Sequence, residues 1–211
     1  MRTTAALGQL QPHDLLRLYD PMLLSRSAPK WVQISPARSV WVVVRRAVAP
    51  NGRIMVGVRG TQRDQRWTTT VSVSDIAEIV TPEQLVYRIG NLRSDMPAAH
   101  ALVALRRQLQ RLPLRWGPTG SAGFELATGL TTIHPGSDLD VVLRFRQPTR
   151  RTLVTRLHVI VSSLPARVNT QLSFAFGTVA LEELMSGRLT VLVETRGGPI
   201  RMSSDACWRQ G

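Results

Sequence analysis

The chain has 211 residues, of which 43% are hydrophobic and 19% are charged, a balance typical of a globular protein and not of a disordered one. Its single cysteine, Cys207, excludes an internal disulfide and suits a reducing compartment. No apolar run approaches the roughly 20 residues that span a membrane, and the first residues lack the basic and apolar regions of a signal peptide. We therefore expect a soluble, cytoplasmic protein.

The net charge is strongly positive, at +13, from 27 basic and 14 acidic side chains. Lys30 is the only lysine, so almost all of this charge is arginine. Guanidinium groups bind phosphate oxygens in a bidentate manner, which favours a polyanionic partner. Nucleic acid, a nucleotide-like substrate and an acidic protein all fit. A GC-rich coding bias accounts for arginine replacing lysine, but not for the excess of positive charge.

The N-terminal part of the chain has the pattern of strands without intervening helices. Residues 38–73 contain the segments SVWVVVRRAV, RIMVGVRG and RWTTTVSVS. The turn signal Pro50-Asn51-Gly52 separates the first two and predicts a hairpin. These features predict a small, mostly antiparallel β-rich domain over residues 1–90. The boundary is placed near residues 88–96, which are rich in turn formers, so that a second domain covers residues 91–211.

Two helix signals come next. Thr81 followed by Pro82 and Glu83 resembles a helix start, with Thr81 as N-cap. The segment from Pro97 to Leu112 has leucines at helical spacing with arginines between them, which predicts an amphipathic helix. The leucines that we expect in the core are Leu102, Leu105 and Leu109.

A glycine-rich turn, LRWGPTGSAGFELATGL, then leads into a short helix with Ser121 as the expected N-cap and Gly129 just past its end. Beyond it, a strand begins at Asp138, and a helix over 151–164, a strand over 167–176, a short helix over 180–187 and a strand over 188–196 follow. Helices that alternate with strands predict an α/β C-terminal domain. The expected fold class of the whole chain is therefore α+β.

Two carboxylates stand at the mouth of the strand in HPGSDLDVVLRF, residues 134–145. Side chains alternate faces along a strand, so Asp138 and Asp140 point the same way, with Arg144 further along that face. Two adjacent acids repel each other unless a cation lies between them or water surrounds them. The opposite face is apolar and is expected in the core: Leu139, Val141, Leu143 and Phe145.

The glycine turn and the acid pair together predict a phosphate and metal site. A helix that starts after Gly117, Gly120 and Ser121 offers free backbone amides to phosphate oxygens. The strand with the two acids starts soon after that helix ends, so both can meet at one sheet edge. Hard carboxylate oxygens, completed by water and phosphate, describe a Mg²⁺ site better than a zinc site. Such an ion neutralises a phosphoryl group during transfer.

The motifs that carry this site resemble a known family. WGPTGSAGFELATG followed by SDLDVVLR is similar to the phosphoribosyl-dephospho-CoA transferases of malonate decarboxylase, also called its holo-acyl-carrier-protein synthases, within the nucleotidyltransferase superfamily. PHDLLRL, VVVRRA, VGVRGTQRDQRW and VLVETRGGPI fit the same family, so the resemblance runs over nearly the whole chain.

The resemblance implies a fold, a reaction and a set of residues. The C-terminal domain would be nucleotidyltransferase-like. The enzyme would use triphosphoribosyl-dephospho-CoA, modify a serine of the apo acyl-carrier subunit and release diphosphate. Asp138 and Asp140 match the family's catalytic, metal-binding aspartates, and Gly120 and Ser121 match its phosphate-binding turn. Ser137, beside the first aspartate, is counted among the substrate-binding residues.

One position departs from the superfamily pattern. Relatives often carry a third carboxylate on a later strand, where this chain has Asn169. An amide ligates a metal weakly and cannot accept a proton at neutral pH. Three explanations stay open: the acceptor serine needs no protein base, another acid (Glu125, Glu194 or Asp64) takes part, or the enzyme is slow.

Several basic residues are candidates for binding phosphate. Arg144 either steadies the triphosphate or is a solvated arginine at a strand end. Arg59, Arg63 and Arg66 crowd one turn of the N-terminal domain and either contact substrate phosphates or an acidic carrier protein, or form a solvated loop. The histidines lack metal-ligand spacing, which argues against zinc. Cys207 has no partner motif and is interpreted as a bystander.

Two other functions fit parts of this pattern. A nucleotidyltransferase acting on tRNA, DNA or a small alcohol would use the same site. A basic, non-enzymatic nucleic-acid-binding protein would account for the charge. The second alternative gives no reason for two acids on one face behind a glycine–serine turn, and aromatics, at 5%, are few for a single-strand binder. We therefore expect neither nucleic acid nor membrane as the partner.

Overall fold

The computed structural model describes residues 10–20, 22–24, 28–34, 40–49, 52–62, 64–92, 94–145 and 149–210. The chain divides into two compact units, the first ending at Thr81 and the second beginning at Pro82. One unit contains an antiparallel sheet and the other a mixed sheet with helices, which confirms the expected α+β class. The division comes before the expected boundary at residue 90, because the segment after Thr81 packs on a strand of the second unit.

The first unit is a five-stranded sheet in the order β4-β3-β2-β1-β5, with every neighbouring pair antiparallel. A one-turn helix, α1, covers Lys30–Gln33. The strands predicted over residues 38–73 are present, whereas the sequence did not predict β1 and β5. Pro50 and Asn51 of the predicted hairpin turn lie outside the described residues. The strands are β1 (Leu15–Leu18), β2 (Trp41–Val44), β3 (Ile54–Arg59), β4 (Arg66–Val71) and β5 (Ile76–Val80).

Buried and half-buried residues alternate along β3, and this alternation shows which side chains of the sheet form its core. Ile54, Val56 and Val58 are buried, while the residues between them are half-buried. They pack with Leu16, Leu18, Val42 and Val44 in one apolar cluster. Each such side chain contributes about 1.5–3 kcal/mol through the apolar surface that it removes from water.

The second unit is a six-stranded sheet in the order β11-β10-β9-β8-β7-β6. Only β7 and β8 pair in parallel among the described strands, and helix α5 (Arg151–Ser162) forms the crossover between them. The strands are β6 (Arg115–Pro118), β7 (Leu139–Arg144), β8 (Val168–Ser173), β9 (Thr178–Ala180), β10 (Thr190–Thr195) and β11 (Gly198–Ser203). The other helices are α2 (Pro82–Leu85), α3 (Pro97–Leu109), α4 (Gly120–Thr128), α6 (Leu181–Met185) and α7 (Ser204–Gln210). In the described ranges, no helix has the length and apolar character needed to cross a bilayer.

The core of this unit confirms the expected pattern of β7 and α3. Leu102, Leu105 and Leu109 of α3 are buried in the same apolar cluster as Leu139, Val141 and Leu143 of β7, and Phe145 packs against it partly buried. The other face of β7 is covered as well, because Val142 and Arg144 are also buried. The middle of β7 is thus covered on both sides, and only its first residues reach the sheet edge.

Ser121 is not the N-cap of α4. The helix begins at Gly120, two residues earlier than an N-cap at Ser121 would give, and extended Thr119 is its N-cap. The backbone amide of Thr119 donates a hydrogen bond to the carbonyl of Asp140 in β7, at 2.8 Å. This bond holds Thr119 in an extended conformation just before the helix begins. Gly129 ends the helix with φ of 73°, as the sequence predicted.

Gly117 in β6 is the point at which α2 contacts the sheet. A Cβ at this position would lie 1.9 Å from the carbonyl oxygen of Pro82. We expect Gly117→Ala to destabilise the protein by about 1–3 kcal/mol, because the backbones of β6 and α2 must separate. Gly90→Ala is the matched control, since a Cβ there has no neighbour within 4 Å. Denaturant unfolding measures both, and equal stability of the two variants would contradict this packing.

Candidate active site

The two aspartates and Asn169 meet at one edge of the second sheet. Because β7 and β8 are parallel, they begin at the same edge, with Asp140 in register with Asn169. The side-chain nitrogen of Asn169 donates to Asp138 Oδ2, at 3.3 Å, and to Asp140 Oδ1, at 3.0 Å. Asp138 is exposed and Asp140 is half-buried. One amide group thus holds two like charges side by side at the rim of the sheet.

The tip of helix α4 lies against the same carboxylate. Gly120 has φ of 58°, and a Cβ there would come within 2.1 Å of Asp140 Oδ2. The first amides of α4 have no partner within the helix, and the positive end of the helix dipole favours the Asp140 carboxylate. Only glycine combines this backbone conformation with so close an approach. The structure therefore brings the glycine turn and the acid pair together, as the sequence predicted, and Ser121, in the first turn of α4, is buried beside them.

Helix α4 also holds the loop that leads to Asp138 in place through hydrogen bonds. Glu125 Oε2 accepts hydrogen bonds from the amides of Thr132, at 2.8 Å, and Ile133, at 3.0 Å. The Thr132 hydroxyl donates to the carbonyl of Ser121, at 2.8 Å. Glu125, one of the acids suggested as a base, is therefore engaged in holding the loop in place.

Ser137 closes the turn that comes directly before Asp138. Its hydroxyl oxygen accepts a hydrogen bond from the amide of His134, at 3.0 Å. Ser137 therefore shapes the approach to the first aspartate, and its contact with substrate stays a prediction. Of the other acids suggested as bases, Glu194 lies on β10, which β9 and β8 separate from β7, and Asp64 belongs to the first unit.

Arg144 lies at the opposite end of β7 from the acid pair. It is 8% exposed, and its Nη1 lies 3.3 and 3.2 Å from the two carboxylate oxygens of Glu83 on α2. Glu83 also accepts from Arg115, at 3.3 Å. These contacts exclude the alternative of a solvated strand-end arginine, while a role in triphosphate binding stays a prediction. Sequence reasoning missed Glu83, because nothing local links a helix start to a strand residue 61 positions away.

Arg59 and Arg66 face each other across the β3–β4 hairpin of the first unit. Arg59 is half-buried and Arg66 is exposed. This register places two cationic side chains close together on one face of the hairpin. Their binding role stays a prediction, and Arg63 lies outside the described residues.

The donor set suits a hard divalent cation. Two carboxylates, one of them open to solvent at Asp138, leave room for water and phosphate oxygens, which Mg²⁺ retains in most protein sites. Across the described ranges, no cluster of three or more histidine, cysteine, aspartate or glutamate side chains has the arrangement of a metal site. Cys207 is 1% exposed, and this burial raises the pKa of its thiol, as fits a bystander.

Comparison with known proteins assigns the chain to a family. Residues 85–205 match the model of the phosphoribosyl-dephospho-CoA transferase MdcG C-terminal domain, and residues 11–82 match that of the MdcG N-terminal domain. The chain therefore belongs to the MdcG family, and it is a transferase enzyme. No significant match to a solved structure is found.

Full-length relatives support the same assignment. A protein named phosphoribosyl-dephospho-CoA transferase from Pseudomonas aeruginosa PAO1 is 41% identical over 200 residues, which is 94% of each chain. Relatives with the same name include one from Pseudomonas putida, 40% identical over 92% of this chain and 94% of its own length. Another, from Klebsiella pneumoniae, is 38% identical over 89% of this chain and 92% of its own length.

Replacing the amide at the centre of the site tests whether a cation belongs there. We expect Asn169→Asp to lose about 1 kcal/mol of stability without divalent ions, because three carboxylates would then share the edge. Added Mg²⁺ should restore more stability to this variant than to the wild type. Thermal unfolding with and without Mg²⁺ measures the difference, and Asn169→Ala is the control for the lost amide. Equal responses to Mg²⁺ would contradict a cation site here.

The Arg144–Glu83 pair gives a separate test of what Arg144 does. We expect Arg144→Ala to destabilise the protein by about 3 kcal/mol, since it leaves Glu83 with less compensation in a largely buried place. Denaturant unfolding measures this loss, and Arg115→Ala, at the more exposed end of the same cluster, should cost less. A fully stable Arg144→Ala variant with a raised KM would show a substrate role in place of the structural one.

Proposed function

We propose that this chain transfers the phosphoribosyl-dephospho-CoA group from triphosphoribosyl-dephospho-CoA to a serine of the apo acyl-carrier subunit of malonate decarboxylase, with release of diphosphate. The family and the names of its relatives support the transferred group. The contact between Asp140 and Gly120 supports the chemistry, because it joins an acid pair to a helix tip that can receive phosphate oxygens.

The proposed reaction is a single displacement at phosphorus. The serine Oγ forms a bond to the phosphorus next to the ribose, and the bond from that phosphorus to the diphosphate oxygen breaks. The hydroxyl proton passes to solvent, and diphosphate carries away the electron pair of the broken bond. Such transfers proceed through a loose transition state in most accounts, so a strong protein base is not required. Asn169, which cannot accept a proton, is compatible with this route.

The chain's own residues position the reacting groups and balance their charge. The amides at the start of α4 and the Ser121 region receive phosphate oxygens, while Asp138 and Asp140 would hold Mg²⁺ at the sheet edge. A bound cation supplies charge neutralisation for the polyphosphate. Asn169 donates a hydrogen bond to each carboxylate, and Glu125 holds the loop before β7 in place. Positioning and electrostatics of this kind account for most of the catalysis in phosphoryl transfer.

Substitution of the two aspartates tests the proposed reaction directly. We expect Asp138→Asn and Asp140→Asn each to slow modification of the apo carrier by about 100- to 1000-fold, because the charge that faces the polyphosphate site is removed. The readout is the intact mass of the carrier after incubation with Mg²⁺ and triphosphoribosyl-dephospho-CoA. Asp205→Asn, at an exposed acid on α7, is the matched control and should retain full activity.

Two outcomes would contradict the proposal. A carrier whose mass does not change with wild-type enzyme would exclude this acceptor. Full activity in both aspartate variants, or in the presence of excess EDTA, would exclude the acid pair and its cation while leaving the family assignment intact. Circular dichroism of each variant shows whether a loss of activity reflects the site or the fold.

A further inference from the structure

Arg167 is an exposed arginine that comes immediately before β8, at the sheet edge that carries the acid pair. The amide of Leu139 donates to the carbonyl of Arg167, at 2.9 Å, so the backbone ladder between β7 and β8 already includes this residue. The register of the two parallel strands pairs Asp140 with Asn169, two residues further along. Arg167 therefore lies level with Asp138 on the neighbouring strand.

The alternation of side chains along β8 places Arg167 on the same face of the sheet as the two carboxylates. Val168 is 4% exposed and belongs to the apolar core of this unit. Arg167 and Asn169, its two neighbours in the chain, therefore project from the opposite face. Asn169 bonds both aspartates on that face. Neighbouring strands lie about 4.8 Å apart, so the guanidinium of Arg167 can reach a ligand that is bound at Asp138.

The guanidinium of Arg167 is available to such a ligand. The residue is exposed, and it also borders the open depression at the end of α5. Within the part of the chain that the structure describes, its side chain forms no ion pair or hydrogen bond, although two carboxylates lie nearby and accept from Asn169. Arg144, the other arginine of this unit considered for phosphate binding, lies at the far end of β7 and is bound to Glu83.

The balance of charge at the sheet edge indicates what this arginine would bind. One divalent cation neutralises only the acid pair, whereas the polyphosphate of the proposed substrate brings further negative charge. When the bond to the diphosphate oxygen breaks, the electron pair stays on diphosphate and its negative charge increases. The amides at the start of α4 supply only partial positive charge. A guanidinium supplies a full charge and two parallel N–H donors that match two phosphate oxygens.

We infer that Arg167 binds the diphosphate group that leaves in the transfer, an inference that rests on the proposed function for the triphosphate substrate. Its N–H groups donate to oxygens of the two outer phosphates, while Asp138 and Asp140 would hold the cation. Arg167 thereby takes up the negative charge that develops on the leaving group. The sheet edge thus combines acids for the cation with a base-paired strand position for the product anion, both on one face of β7 and β8.

Calorimetric titration of the full-length enzyme with inorganic diphosphate, in the presence of Mg²⁺, tests this inference without any carrier. We expect Arg167→Ala to weaken diphosphate binding about tenfold, or 1.4 kcal/mol. Arg167→Lys should bind with intermediate affinity, because lysine keeps the charge and loses the bidentate fork. Arg156→Ala, at an exposed arginine of α5, is the matched control and should bind as the wild type does. Dephospho-CoA, which lacks the triphosphate, should bind Arg167→Ala and the wild type equally.

The outcomes separate this inference from the proposed function. Unchanged diphosphate affinity in Arg167→Ala, or no diphosphate binding by the wild type, would overturn the role of Arg167. An equal loss of affinity for dephospho-CoA would also overturn it, since it would show a general surface for anions. If the wild type binds diphosphate through Arg167 but modifies no carrier, the diphosphate site stands and the proposed acceptor fails. If Arg167→Ala modifies the carrier at the wild-type rate, the transfer reaction stands and the role of Arg167 fails.

Discussion

The repulsion between Asp138 and Asp140 is the constraint that organises this site. Two neighbouring carboxylates can both stay ionised only where positive charge lies nearby. Two elements of the structure supply partial positive charge here. Asn169 provides a donor from the neighbouring parallel strand, and α4 directs its positive end at Asp140. Both are partial charges, so the acid pair retains a net attraction for a cation. The fold thus leaves an excess of negative charge at one place on a strongly basic protein.

The position of the acid pair beside helix α4 depends on close backbone contacts that leave no room for side chains. Gly117 lets α2 approach β6, and Gly123 lies close to the carbonyl of Pro118, so a Cβ there would be 2.7 Å from that oxygen. With Gly120 against Asp140, three glycines bring two helices, α2 and α4, into contact with strand β6 and with an acid. The Arg144–Glu83–Arg115 cluster then closes the far end of the same surface. Strand β7 is therefore buried and ion-paired at one end and leads to an open, polar edge at the other.

The sequence predicted the meeting of the acid pair and the glycine turn better than it predicted the whole sheet. The period of two along β7 and the glycine turn are local signals, and they were sufficient to place Asp138, Asp140 and Gly120 together. Strands β1, β5, β6, β9 and β11 are short or only partly apolar, so their pairing comes from tertiary contacts that no local pattern records. Glu83 was missed for the same reason, since its contact with Arg144 joins segments far apart in the chain.

The outer strand of the first unit also bears on how the protein behaves at high concentration. Among the strands that the structure describes, β4 is the outermost of its sheet, and it carries Arg66 and a run of threonines. A charged, polar margin hinders another chain from extending the sheet, whereas an apolar one would invite it. Arg66, considered above as a phosphate ligand, thus also acts against self-association, and its neutralisation by a polyanion would weaken that protection.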